Sequence, residues 1–273
     1  MLGMFPPGNV SGQESATWNP DANGDGCVTT SDLVSLLGVF MMCSEWGAVD
    51  CPDSLELTCI DPVDFDNYAY QTVLIGSQCW FAENLRTEHY ANGDAIPANL
   101  NDSQWGSTST GATTIYGQED GCSEDAPDFD ACDPDMALAE YGRLYNWHAV
   151  NDSRSLCPEG WHVPTDGEWT ELEDYITSQG FDGTEGTALK STTGWHNNGN
   201  GTDDFGFSAL PGGNRSWANG LFGGAGSFAM WWTSTPFFGV RYYRSLNQNN
   251  PDIYRSFNPP ENGFSVRCLK DAE

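Results

Sequence analysis

After Phe181 the chain sustains no helical period. Short strand-like pieces, Leu210-Pro-Gly-Gly-Asn-Arg215, Met230-Trp-Trp-Thr-Ser-Thr235 and Gly263-Phe-Ser-Val-Arg-Cys268, alternate with loops rich in Gly, Asn and aromatic residues. A long stretch of this kind reads as a rigid scaffold of short strands that displays loops. Only 38% of the residues are hydrophobic, yet there are 11 Trp, 10 Tyr and 14 Phe. The core is therefore expected to be built from large rings, in one large domain accompanied by a small element.

Charge narrows the partners. Residues 1–140 hold 24 acids and one base, Arg86, whereas residues 141–273 hold 15 acids and nine bases. Phosphate binding needs a basic footprint, so nucleic acid is excluded as a partner. Nine cysteines fit an oxidising compartment, and their odd number leaves one thiol free or paired between chains. No apolar run reaches the roughly 18 residues that a membrane span needs. Met1 to Gly12 lacks the basic start and apolar stretch of a signal peptide, so the chain is expected to be a mature or truncated piece of a secreted protein, extracellular or at the cell surface.

Residues 1–17, with Pro6-Pro7 and scattered Gly and Ser, read as a linker or tail. Residues 18–40 carry a calcium loop of the EF-hand type. Asp21, Asn23 and Asp25 offer side-chain oxygens, Cys27 its carbonyl, Thr29 a water-mediated contact, and Asp32 closes the cage. Leu33, Leu36 and Leu37 then share one face of a short helix. This element resembles one half of a dockerin module. With a single repeat present, the expected role of Ca2+ is to fold a small helical element, with docking to a partner module as the alternative. Residues 41–60, holding Cys43, Cys51 and Cys59, form a disulfide-clipped connector.

The main domain, residues 61–273, opens with a strand at Tyr70–Ile75. Both faces of this strand are partly apolar, which predicts a place inside a sheet. A long polar insertion follows between Asn92 and Asp135, and Cys122 and Cys132 bracket its acidic tip and are expected to pair. Asp125, Asp128, Asp130, Asp133 and Asp135 form a solvated acidic loop there, with a second calcium as the alternative. The clearest helix starts at the capping box Thr165/Glu168 and buries Trp169, Leu172, Tyr175 and Ile176.

Three motif blocks occur in order: Tyr70-Gln-Thr-Val-Leu-Ile-Gly-Ser-Gln-Cys-Trp-Phe-Ala-Glu-Asn-Leu85, Tyr141-Gly-Arg-Leu-Tyr-Asn-Trp147 through Leu156-Cys-Pro-Glu-Gly-Trp-His-Val-Pro-Thr165, and the C-terminal pieces above. Together they closely resemble the Fibrobacter succinogenes major paralogous domain, a bacterial surface family related to C-type-lectin-like folds. The resemblance implies an α+β, loop-rich, disulfide-stapled domain. It also implies that the first and last strands, Tyr70–Ile75 and Phe264–Leu269, pair, and that Cys157 bonds Cys268.

Catalysis finds little support. The four histidines His89, His148, His162 and His196 form no metal motif, and no nucleophile elbow or phosphate loop is present. The related formylglycine-generating enzymes rely on a cysteine pair near the end of the fold, where this chain has Cys268 alone. Sugar-binding C-type lectins use Glu-Pro-Asn and Trp-Asn-Asp motifs, of which Asn250-Pro251-Asp252 is a loose echo. What remains is a surface mixing rings such as Phe237, Phe238, Tyr243 and Phe257 with amides and arginines, as binding surfaces do. Trp217, Tyr242, Arg244, Asn247, Asn249, Tyr254 and Arg255 are the preferred contacts. The expected function is non-catalytic recognition or adhesion, with a glycan or a cell-surface protein as partner. The alternative is a self-associating structural subunit of an extracellular filament or sheath held by calcium and disulfides.

Overall fold

The computed structural model describes residues 59, 62–118, 122 and 126–272. The chain divides into two units, Met1–Glu56 and Leu57–Glu273, and all described residues belong to the second. The linker, the calcium loop of Asp21, Asn23, Asp25, Cys27, Thr29 and Asp32, the connector residues Cys43 and Cys51, and Asp125 lie outside the described residues.

The body runs β1 (Val63–Phe65), β2 (Tyr68–Tyr70), β3 (Thr72–Ile75), β4 (Gln78–Phe81), α1 (Asp102–Ser107), β5 (Thr113–Thr114), α2 (Pro134–Tyr141), β6 (Leu144–Tyr145), α3 (Trp147–Val150), β7 (Trp161–His162) and α4 (Asp166–Ile176). It continues through α5 (Glu185–Leu189), β8 (Gly212–Arg215), β9 (Phe222–Ala225), β10 (Phe228–Phe237), β11 (Val240–Asn247), β12 (Tyr254–Asn258) and β13 (Leu269–Lys270). Two sheets matter most: β3-β4-β13-β7 and β10-β11-β12.

Strand periodicity divides the core. On β4, Cys79 and Phe81 join Tyr70, Tyr145, Trp161, Trp232 and Phe264, whereas Trp80 faces a second cluster with Trp169, Leu172, Phe207 and Trp231. The adjacent Trp231 and Trp232 on β10 are split in the same way, because successive strand residues face opposite sides. Polar side chains join the layers: Asn84 Oδ1 accepts from Trp231 Nε1 at 2.9 Å and from Arg267 Nε at 3.1 Å.

Two strand expectations need correction. Tyr70–Ile75 is broken at Gln71, and β3 lies at the edge of its sheet with Leu74 40% exposed; the internal strand is β4. The last strand pairs with β4, Leu269 opposite Trp80, and with β7, not with the first strand. Phe264–Leu269 is also not one strand. Phe264 bridges Tyr145 and Ser265 bridges Trp231 before Leu269 joins its ladder, so the segment crosses from one sheet to the other.

The insertion is better ordered than a bare loop. Asn101 and Gln104 form a capping box on α1, which buries Trp105 completely. Asp133 caps α2 through Asp135 N and Met136 N, and Asp130 accepts from Cys132 N at 2.9 Å. These two carboxylates thus serve the backbone. Disulfides join Cys122 to Cys132, Cys157 to Cys268, and Cys59 to Cys79.

Thr165 caps α4 with Glu168 completing the box, and the same Glu168 meets His162. His162 lies between two carboxylates, with Nδ1 2.6 Å from Asp271 and Nε2 2.9 Å from Glu168. Hydrogen bonding to Glu168 raises the imidazole above its usual range against the cost of burial, and Asp271 adds to it. Burial alone would raise Glu168, but bonds from His162 and Thr165 lower it to about 2. Only the imidazolium can donate to both acids at once. The tie is therefore complete below the free imidazole value near pH 6.5 and is lost as pH rises through the higher folded value. NMR titration should place His162 above the free value, and His162→Gln should remove the fall in stability over that window. A His162 titrating at or below the free value would refute the tie.

Candidate functional site

The ring-bearing surface is assembled at the tip of the β10–β11 hairpin. Phe237 pairs with Val240, leaving Phe238 and Gly239 as a two-residue turn. Both have positive φ, 38° and 88°, as a type I′ turn requires. Glycine adopts this conformation without strain, and Asn is the common first residue; a bulky Phe there is an outlier. Phe238 nevertheless occupies it and is 97% exposed. Its ring lies 5.0 Å from Phe237, which is 4.9 Å from Tyr242 and 5.8 Å from Phe257. Phe257 is 53% exposed.

A charged hub fixes this tip to α4. The Arg255 guanidinium stacks 4.0 Å from the Tyr242 ring and binds both carboxylate oxygens of Asp166, each at 2.8 Å. Arg244 reaches the same carboxylate at 2.5 Å, donates to Asp166 O and Thr170 Oγ1 at 3.1 Å each, and binds Glu173. Burial would raise the Asp166 carboxyl, but Arg255 and Arg244 outweigh it and hold it below the usual range. Glu173, more deeply enclosed, is shifted up by burial despite Arg244. The register of β10 shifts between Trp232 and Pro236, and there Thr235 Oγ1 accepts the Asp166 N–H at 3.0 Å. Helix start and hairpin are thereby joined.

The seven preferred contact residues do not form one face. Tyr242 and Arg255 are in the tip group, and Arg244 is fully buried beneath it, with its donors committed to α4. Asn247 is five residues along β11 from Tyr242, roughly 17 Å away at strand rise. At that far end Lys190 Nζ donates to Asn247 O at 2.6 Å and Asn250 O at 2.7 Å, and burial lowers its pKa to about 8. Asn247 Oδ1 is used by Asn249 N, and Asn250 donates to the Tyr254 hydroxyl. Trp217, 46% exposed, belongs to the β8–β9 hairpin, a separate sheet. Phe237, Phe238 and Phe257 lie beside Tyr242 at the tip although the sequence does not rank them among the contacts; a Gly after Phe238 between two strand-like runs is the one local sign of a turn there.

Buried bases shape the outer surface. Arg143, Lys190, Arg215, Arg244 and Arg267 are all buried, five of the ten bases in the chain. Arg267 donates to Ser208 O at 3.1 Å and stacks 4.1 Å over Phe207, and Arg215 donates to Gly220 O at 2.8 Å and Leu100 O at 2.9 Å. These cations organise loops, and the exterior is correspondingly more anionic. Among the described residues no group of three His, Cys, Asp or Glu is placed to hold a metal, and no described helix is long and apolar enough to cross a membrane.

A strand-rich body with short capped helices, closed by disulfides and presenting a ring-bearing hairpin, belongs with scaffolds that display loops. The Fibrobacter succinogenes major domain matches residues 73–270, and the chain belongs to that family. No curated protein and no solved structure matches it.

Proposed function

We propose that the chain is a non-catalytic recognition module with a C-type-lectin-like body, acting outside the cell and binding a glycan or a surface protein through the hairpin tip. One observation carries this reading: Phe238 is held in a strained backbone conformation with its ring 97% exposed. Apart from its edge-on contact with Phe237 the ring is unburied, and strain kept at an exposed position suits a contact made with something else. Arg255 and Tyr242 hold the neighbouring rings ready, which lowers the entropy lost on binding. The engagement of Cys268 in a disulfide supports the non-catalytic reading, since it removes the thiol a cysteine mechanism would need. Calcium at Asp21, Asn23, Asp25, Cys27, Thr29 and Asp32 is proposed to stabilise the N-terminal element.

A structural subunit is the second reading. It is favoured by the outer edge of β12, which has no neighbouring strand among the described residues.

Phe238→Asn tests both. Asn is at ease in a type I′ turn, so the variant should be as stable as the parent or more stable by about 1 kcal/mol. On intact bacterial cells and a glycan array, its binding should fall to background. If the parent binds and the variant binds equally, the recognition site is misplaced. If instead the parent and the variant both form large particles, the subunit reading, which rests on the β12 edge, prevails.

A further inference from the structure

Resting on the recognition reading above, we propose that the hairpin tip takes a neutral polysaccharide, stacked by its sugar faces against Phe238 and Phe257. Phe238 and Phe257, 97% and 53% exposed, offer roughly 300 Å² between them, enough to cover the flat faces of one or two sugar rings. Phe238 stands edge-on to Phe237 at 78° and Phe237 is tilted 39° to Phe257, so the rings form no single flat platform and each of Phe238 and Phe257 offers its own face to one sugar.

Residues 57–273 hold 31 acids and all ten bases, and five of those bases are buried. Such a surface repels uronate and sulfate polymers. Two cations stand at the tip: Arg255 is bound through two nitrogens to Asp166, and Arg241 is turned back onto Val240 O and the Trp147 ring, so neither guanidinium is presented to an anion beside Phe238 and Phe257. The electron-rich faces of Phe rings instead attract the polarised C–H groups that an uncharged pyranose presents on its flat side.

The test uses the whole chain, the Phe238→Ala and Phe257→Ala variants, and a panel of cellulose, xylan and galactomannan, with alginate as the polyanion. Circular dichroism and thermal melts establish that the variants fold. The expected result is retention by at least one neutral polymer, persisting in high salt, with affinity reduced about tenfold by Phe238→Ala. Retention by alginate alone, retention insensitive to both substitutions, or no retention by any polymer overturns the proposal. Adhesion to intact cells treated with periodate or with protease separates the two levels. Phe238-dependent adhesion that survives periodate but not protease rejects the polysaccharide and keeps recognition. The absence of any Phe238-dependent adhesion rejects both.

Discussion

Replacing Cys157 and Cys268 together by serine is expected to lower stability by about 4 to 5 kcal/mol, measured by guanidinium unfolding of the oxidised parent and the variant. The bond spans 111 residues, so in the chain-entropy account it restricts the unfolded chain far more than a short crosslink does. Its surroundings add to the effect. Both half-cystines are buried among Phe81, Trp161, Trp232 and Val266, so the variant also places two hydroxyls in an apolar layer. Cys122–Cys132 closes only ten residues around a surface tip, and its removal should cost less and leave the remainder of the body intact. A Cys157/Cys268 variant within about 1 kcal/mol of the parent would mean that the crosslink contributes little beyond the packing around it.

Arg244→Met is expected to cost about 3 to 5 kcal/mol at neutral pH, the range seen when one member of a buried ion pair is removed. The side chain is wholly buried, and its loss leaves Glu173 without its cation and Asp166 with Arg255 alone. The second substitution Glu173→Gln should restore part of the loss, because it removes the carboxylate left unpaired. Lowering the pH should narrow the gap between Arg244→Met and the parent, since protonating Glu173, already shifted upward, has the same effect. If Arg244→Met instead melts like the parent but fails to bind ligand, Arg244 touches the ligand and its place in the frame has been misjudged.

Local signals carried the fold reading furthest. The Thr165/Glu168 box and the spacing of Trp169, Leu172 and Ile176 define α4 without help from the rest of the chain, because capping and helical period are short-range properties. Strand partners were harder. Gln78–Phe81 looks like a continuation of Tyr70–Ile75, and only the turn at Gly76 makes it the central strand. The pairing of β13 between β4 and β7 joins Leu269 to Trp80, 189 positions away, and to His162, 107 positions away, separations that no local window contains.

Site residues divide for the same reason. Tyr242 stands opposite Phe257 and Arg255 opposite Arg244, so Tyr242 and Arg255 are diagonal neighbours on one face and their proximity follows from register. Arg244, two positions from Tyr242, shares its face yet is sealed by α4. Whether an arginine on a strand meets solvent or a helix is decided by tertiary packing, and composition carries no trace of it. Lys190 was invisible for the same reason, since a cation serving backbone carbonyls needs no partner of opposite charge in the sequence.

The position of β13 bears on biogenesis. A polypeptide leaves the ribosome, or any translocation pore, from its amino end, so β3, β4 and β7 emerge well before Leu269 and Lys270. Until those two residues arrive, the gap between β4 and β7 stays open and Cys157 has no Cys268 to join. The body therefore cannot close domain-first during synthesis. It must wait as an incomplete sheet, with Trp80 and Trp161 lacking their ladder partners Leu269 and Lys270, and a nascent chain halted before position 268 would be left with that gap open.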